Sequence, residues 1–103
     1  MKNEILPQKA TAMVFKPEGD LVAAKLPALR EKLRALVASG ILHLTLDLAE
    51  TQMVDSAGLG LLISAHNSLK KAGGALAVTH ASNDILELFK TMRIQQHFSV
   101  SGN

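Results

Sequence analysis

The fold of this chain is decided by one short stretch, Val54-Asp55-Ser56-Ala57-Gly58-Leu59-Gly60. The stretch follows a mostly apolar run at 41–48, which predicts a strand, and it opens an apolar 3.6-residue period at 57–71, which predicts a helix. It is the only part of the chain whose residue types are not explained by the needs of a core. The remaining elements can be placed on either side of this strand-to-helix junction.

Two short oxygen-bearing side chains lie at the junction. Such side chains accept hydrogen bonds from the first free N–H groups of a helix, and we predict that Ser56 is the cap with Asp55 just outside the helix. The positive end of the helix dipole also stabilises an anion, so a phosphate on Ser56 is expected to find free N–H groups there. Ser56 is therefore either a plain structural cap or a phosphorylation site.

Two glycines fall in the first turn of the predicted helix. Gly58 and Gly60 each lower helix stability by roughly 1 kcal/mol relative to alanine, so each needs a reason, such as close approach of another backbone or of a partner. No residue nearby in the sequence supplies that reason. We therefore expect the small residues to leave the Ser56 hydroxyl open.

The predicted helix has two faces. The face expected to pack on the sheet contains Leu59, Leu62, Ile63, His66 and Leu69. The opposite face contains Ala57, Leu61, Ser64 and Ser68, with Leu61 predicted to be exposed. A small face with one leucine beside Ser56 is typical of a partner surface, although a single exposed leucine is also normal on any protein.

The motif Asp-Ser-Ala-Gly-Leu-Gly at 55–60, preceded by Leu46-Asp47-Leu48, resembles the signature of the STAS domain, which is named after sulfate transporters and anti-sigma factor antagonists. The resemblance extends from Gly19-Asp20-Leu21 to Phe98. It implies an α/β fold with a mixed, mainly parallel β-sheet, helices packed on one face and antiparallel N-terminal strands at an edge.

In the bacterial antagonists of this family, the serine that matches Ser56 is phosphorylated by an anti-sigma factor that is itself a kinase. The resemblance implies a non-enzymatic regulator whose partners are an anti-sigma factor or serine kinase and a serine phosphatase. Residues expected to support the phosphosite are Asp47, Asp55, Ala57 and Gly58, and those expected to bind the partner are Ser56, Leu59, Gly60, Leu61 and Ser64. Two alternatives keep the fold: a subunit on the ATPase of a lipid-transporting ABC system, and a module in chemotaxis-like signalling.

Composition narrows the class of protein. The chain has 103 residues, which predicts one domain over 1–103, and its 48% apolar and 19% charged residues are ordinary for a folded domain. A net charge of +2 is too small to indicate nucleic-acid binding, and the absence of cysteine excludes disulfides and thiol catalysis. No apolar run approaches the roughly 18 residues of a membrane span, and no signal-peptide pattern is present, so we expect a cytoplasmic location without membrane insertion.

The other elements follow from local signals. Residues 5–15 predict an edge hairpin, and 16–20 predict a turn in which Asp20 is a candidate cap. A helical apolar period at 21–39 is interrupted by Pro27, so the helix either begins at Pro27, which we favour, or is kinked there. The strand at 41–48 has polar residues at alternate positions, which predicts a less buried side carrying His43, Thr45 and Asp47. A strand at 75–79, a helix from 82 and a short strand at 98–100 complete the chain.

Patterns for catalysis, metals and cofactors are poor. Ser56, Asp84 and His97 occur in the chain order of a hydrolase triad, but Val54 stands where a nucleophile elbow needs glycine. The four histidines, His43, His66, His80 and His97, lack ligand spacing, and His66 is predicted to be a hydrogen-bonded core residue. Gly-x-Gly at 58–60 lacks the third glycine of a dinucleotide fingerprint. We therefore expect no enzyme activity, no metal and no cofactor.

Overall fold

The computed structural model describes residues 11–102 of the chain. The strands are β1 Ala12–Phe15, β2 His43–Asp47, β3 Ala75–Ala81 and β4 Ser99–Gly102. The helices are α1 Leu26–Ala38, α2 Ser56–Lys71 and α3 Asn83–Thr91. Two short 3₁₀ helices, Ala23–Lys25 and Ile94–Gln96, lie just before α1 and between α3 and β4.

The four strands form one sheet in the order β1-β2-β3-β4, and every neighbouring pair is parallel. Each parallel connection contains one α-helix, as parallel strands require a crossover. Since the strands are added in one direction, right-handed crossovers bring successive helices to the same face of the sheet. The predicted α/β architecture with a mainly parallel sheet is confirmed.

One face of the sheet is covered by the helices. Leu44 and Leu46 of β2 lie in register with Leu76 and Val78 of β3, so all four side chains point to the same side, and all are buried. They belong to a single core cluster with apolar residues of the three helices. The polar residues of β2 alternate with these leucines and are less buried, which confirms the prediction for that strand.

The N-terminal edge was expected to contain antiparallel strands. Within residues 11–102, β1 is the first strand and it pairs parallel with β2, with Ala12 opposite His43. The predicted hairpin began at residue 5, so its first part lies outside the described residues. Antiparallel pairing at this edge therefore stays a prediction.

The start of α1 agrees with one of the two interpretations of Pro27. The main helix begins at Leu26, with Pro27 in its first turn. Backbone N–H groups in a first turn have no partner within the helix, so the N–H that proline lacks is not needed there.

The candidate role of Asp20 as a cap is wrong. Its Oδ1 accepts hydrogen bonds from the backbone N–H groups of Gln52 (2.9 Å) and Met53 (3.1 Å), because the loop after β2 runs beside it.

The segment before α1 supports the loop that leads into α2. The Leu21 N–H donates to the Met53 carbonyl oxygen at 2.9 Å, and the Asp55 N–H donates to the Leu21 carbonyl oxygen at 3.1 Å. The buried Thr51 hydroxyl donates to the Gly19 carbonyl oxygen at 2.8 Å. These bonds fix the position at which α2 begins.

Candidate functional site: the N-terminus of α2

Asp55 is the N-cap of α2. Its backbone is extended, with φ −93° and ψ −178°, and its Oδ1 accepts a hydrogen bond from the Gly58 N–H at 2.8 Å. Its Oδ2 accepts a second hydrogen bond from the Ala23 N–H at 2.9 Å. The prediction that Ser56 is the cap is therefore wrong by one residue. The two oxygens of the Asp55 carboxylate bridge α2 to the segment before α1, whereas a serine side chain has a single oxygen.

The cap also sets the charge at this end of the helix. The Gly58 N–H, and after it the Ala23 N–H, lower the pKa of the Asp55 carboxyl below its ordinary value, so the group is ionised at neutral pH. The first turn of α2 thus already holds an anion. The expectation of free N–H groups for a phosphate on Ser56 is wrong for Gly58, whose N–H is engaged by Asp55.

Ser56 is the first residue of α2, and its side chain is exposed. Among residues 11–102, no hydrogen bond to its hydroxyl is found, whereas the neighbouring Asp55 carboxylate has two backbone partners. The hydroxyl is therefore accessible to another protein and is not needed to hold the helix end together.

The two glycines of the first turn have different surroundings. A Cβ on Gly58 would overlap the Leu21 carbonyl oxygen and lie 3.1 Å from both Leu21 Cβ and Val54 Cγ1. The reason for glycine here is thus a backbone approach from a segment that is distant in the sequence. A Cβ on Gly60 would meet nothing within 4 Å among the described atoms, so packing does not explain that glycine.

The solvent-facing side of α2 consists of small and polar residues. Ser56, Ala57, Gly60, Ser64, Asn67 and Ser68 are exposed. The predicted exposure of Leu61 is wrong: it is only 4% exposed, because it lies beside α1 and belongs to the core cluster. Leu59 is buried as well. We refer to the six exposed residues as the α2 face.

Asp47 lies at the end of β2 and has local partners. Its Oδ1 accepts a hydrogen bond from the Ala49 N–H at 2.9 Å and is 3.3 Å from Nδ1 of His80. Within the part of the chain that the structure describes, no hydrogen bond joins it to Asp55 or Ser56.

The residues that hold Asp55 are Leu21 and Ala23, which the sequence analysis did not identify. Gly58 was the available signal for them, since it required a close backbone neighbour.

His66 is buried on α2 at 8% exposed, as predicted, with its ring centroid 5.7 Å from that of Phe98. The predicted hydrogen bonding is wrong for Nδ1, which has no partner in the described region. Burial, and then the charges of Lys70 and His97, lower the pKa of the imidazole below its ordinary value.

Within residues 11–102, the structure brings together neither the residues of the hydrolase-like order nor a set of metal ligands. No hydrogen bond in residues 11–102 joins Ser56, Asp84 and His97. Over the same residues, no cluster of three or more histidine, aspartate or glutamate side chains has the geometry to hold a metal ion. None of the described helices has the length and apolar character to span a membrane.

The model of the STAS domain family matches residues 5–103. The chain belongs to the STAS domain family. The anti-sigma-B factor antagonist of Bacillus subtilis (strain 168) is 30% identical to it over 84 residues, which are 82% of this chain and 76% of that protein.

Solved structures of two other proteins have the same fold. The crystal structure of a putative anti-sigma factor antagonist from Thermotoga maritima matches this STAS domain with a TM-score of 0.84 and 14% identity, over 90% of this chain and 80% of that chain. The Bacillus protein SpoIIAA matches with a TM-score of 0.69 in its unphosphorylated form (17% identity, 90% of this chain, 80% of that chain). Its phosphorylated form also matches with a TM-score of 0.69 (14% identity, 92% and 86%). The STAS fold implied by the motif is thereby confirmed.

Proposed function

We propose that this STAS domain is a non-enzymatic anti-sigma factor antagonist whose partner binding is switched by phosphorylation of Ser56. The observation that carries the proposal is the division of roles between two adjacent residues. Asp55 caps α2, and Ser56 lies beside it with an exposed hydroxyl that makes no hydrogen bond in the described region. A plain capping role for Ser56, the main alternative from sequence, is therefore removed.

The relatives support the same proposal. A sequence relative is an anti-sigma-B factor antagonist, and SpoIIAA is an anti-sigma factor antagonist with structures in unphosphorylated and phosphorylated forms. The proposed partners are accordingly an anti-sigma factor or serine kinase, which would supply ATP and magnesium itself, and a serine phosphatase that restores the hydroxyl.

In the unphosphorylated state, the partner would dock on the α2 face around Ser56, Gly60 and Ser64. Gly60 has open space around it, so a partner backbone can approach the helix closely at that point. Leu59 and Leu61 are both buried in the core, where they fix the shape of this turn of the helix.

Phosphorylation would make this docking unfavourable. A phosphate adds about −1.5 to −2 charges at pH 7. It would lie next to the Asp55 carboxylate, which stays ionised and already accepts the Gly58 N–H. A partner that packs against a neutral hydroxyl would have to bury an anion without a matching donor, and this desolvation cost favours release.

The supporting residues have separate proposed roles. Asp55 and Gly58 hold the first turn, and the exposed Ala57 leaves room for a kinase beside Ser56. Asp47 is proposed to act at longer range by shaping the loop after β2, since its carboxylate accepts the Ala49 N–H.

The proposal is tested by intact-mass analysis of the protein isolated from its native cells, with fragmentation to locate the modified residue. We expect one phosphate on Ser56, its loss in Ser56→Ala, and its retention in Ser64→Ala, a matched exposed serine two turns further along α2. Absence of phosphate under several growth conditions, with a stably co-purifying ATPase, would contradict the proposal and favour the transporter-subunit interpretation.

A further inference from the structure

A groove separates α1 from α2 and borders the α2 face. It has a volume of about 160 Å³. Arg30 and Arg34 of α1 line one wall, Ser64 and Ser68 of α2 line the other, and Leu61 and Ala65 lie between them. Ser64 and Ser68 also belong to the α2 face, so the groove and the surface around Ser56 are continuous.

The size of the groove favours a protein partner over a small molecule. Small-molecule sites are usually clefts of roughly 300–1,000 Å³, and this groove is well below that range. A volume of this size suits one apolar side chain of a docked segment, with the rest of the segment lying along the helices.

Both charged residues that line the groove are cations, Arg30 and Arg34, and no acidic residue lines it. Arg34 Nη1 lies 3.1 Å from Glu31 Oε1 in an exposed ion pair, whereas Arg30 has no ion pair within residues 11–102. The net charge of +2 over the whole sequence does not reveal this concentration.

We propose that this groove is the second half of the partner interface and binds an acidic segment of the partner protein. Carboxylates of that segment pair with the forked guanidinium groups of Arg30 and Arg34, and one apolar side chain contacts Leu61 and Ala65. The Ser64 and Ser68 hydroxyls supply hydrogen bonds from the other wall. The inference rests on the proposed function, because it extends the surface that contains Ser56.

The test uses the full chain in its native cells, with the photo-cross-linking residue p-benzoylphenylalanine introduced at Gly60, at Ser68 or, as a control, at Glu87 on α3. Mass spectrometry identifies the cross-linked peptides. We expect the Gly60 and Ser68 positions to capture the same protein, the Ser68 position to capture a peptide rich in Asp and Glu, and the Glu87 position to capture neither.

Charge reversal then tests the role of the arginines. Arg30→Glu with Arg34→Glu is expected to reduce the Ser68 cross-link at least tenfold, and Arg30→Lys with Arg34→Lys is expected to retain most of it. Lys90→Glu with Arg93→Glu, which changes two exposed cations elsewhere, should leave it unchanged. Circular dichroism confirms that each variant is folded.

The possible failures are distinguishable. A Gly60 cross-link without a Ser68 cross-link, a captured peptide that is neutral or basic, or a Ser68 cross-link that survives charge reversal would overturn the groove while leaving the proposed function intact. No cross-link from Gly60, in cells where Ser56 is unphosphorylated, would overturn both.

Discussion

Replacement of Gly58 by alanine is the sharpest test of how the site is held. The added methyl group would overlap the Leu21 carbonyl oxygen and press on Leu21 Cβ and Val54 Cγ1, each 3.1 Å away. Leu21 has little freedom to move, since its N–H donates to Met53 and its carbonyl oxygen accepts from Asp55. We therefore expect Gly58→Ala to destabilise the protein although alanine is the better helix former.

The magnitude follows from two opposing effects. Gly→Ala inside a helix stabilises by roughly 0.5–1 kcal/mol through helix propensity. Overpacking of a rigid contact costs typically about 1–3 kcal/mol. Because the clash at Gly58 is with backbone, the larger end of that range applies, and the expected net loss is about 2 kcal/mol. For a domain of this size, that loss lowers Tm by roughly 8–16 °C.

Gly60→Ala is the matched control, since it lies in the same turn and a Cβ there meets nothing within 4 Å. It should raise the free energy of unfolding by roughly 0.5–1 kcal/mol through propensity alone. Both variants are measured by urea unfolding and by thermal melting, followed by circular dichroism. Equal stabilisation by the two substitutions would refute the conclusion that Leu21 packs against the first turn of α2.

Two further predictions concern titrating groups. Because the pKa of Asp55 is lowered, its contribution to stability should be complete above the ordinary value of 3.8 and be lost as pH falls through the lowered value. Urea midpoints measured between pH 6 and 2 should show this loss of stability in the wild type and a smaller loss in Asp55→Ala. An identical pH dependence of the two proteins would contradict the role of Asp55 as the cap. Because the pKa of buried His66 is lowered, the unfolded chain binds a proton more readily than the folded protein, so stability should fall as pH drops below 6.5. His66→Leu should reduce the difference between the urea midpoints at pH 7.5 and 5.5. An unchanged difference would contradict burial of a neutral imidazole.

Local sequence signals predicted the elements that depend on local physics. Pro27 predicted the start of α1 to within one residue because proline is favoured in a first turn and excluded from a helix interior. Alternation along β2 predicted which side is buried, since successive strand side chains point to opposite faces. The strand-to-helix junction likewise placed Ser56 at the N-terminus of α2.

The contacts that define the site depend on segments far apart in the chain. Asp55 rather than Ser56 is the cap because its second carboxylate oxygen accepts a hydrogen bond from the Ala23 N–H. No local sequence pattern indicates that Ala23 is the partner. Leu61 is buried because α1 packs against α2, and the helical period alone does not give the width of the buried face. Gly58 signalled a close neighbour without identifying Leu21.

The central claim is that phosphorylation of Ser56 releases the partner, and its most direct measurement is the dissociation constant of the partner captured through Gly60. Binding is compared between the unmodified protein and protein carrying phosphoserine at position 56, with Ser56→Ala as a neutral reference. We expect phosphoserine to weaken binding at least tenfold and Ser56→Ala to bind nearly as well as the unmodified protein. Equal affinities of the phosphorylated and unmodified proteins would contradict the account.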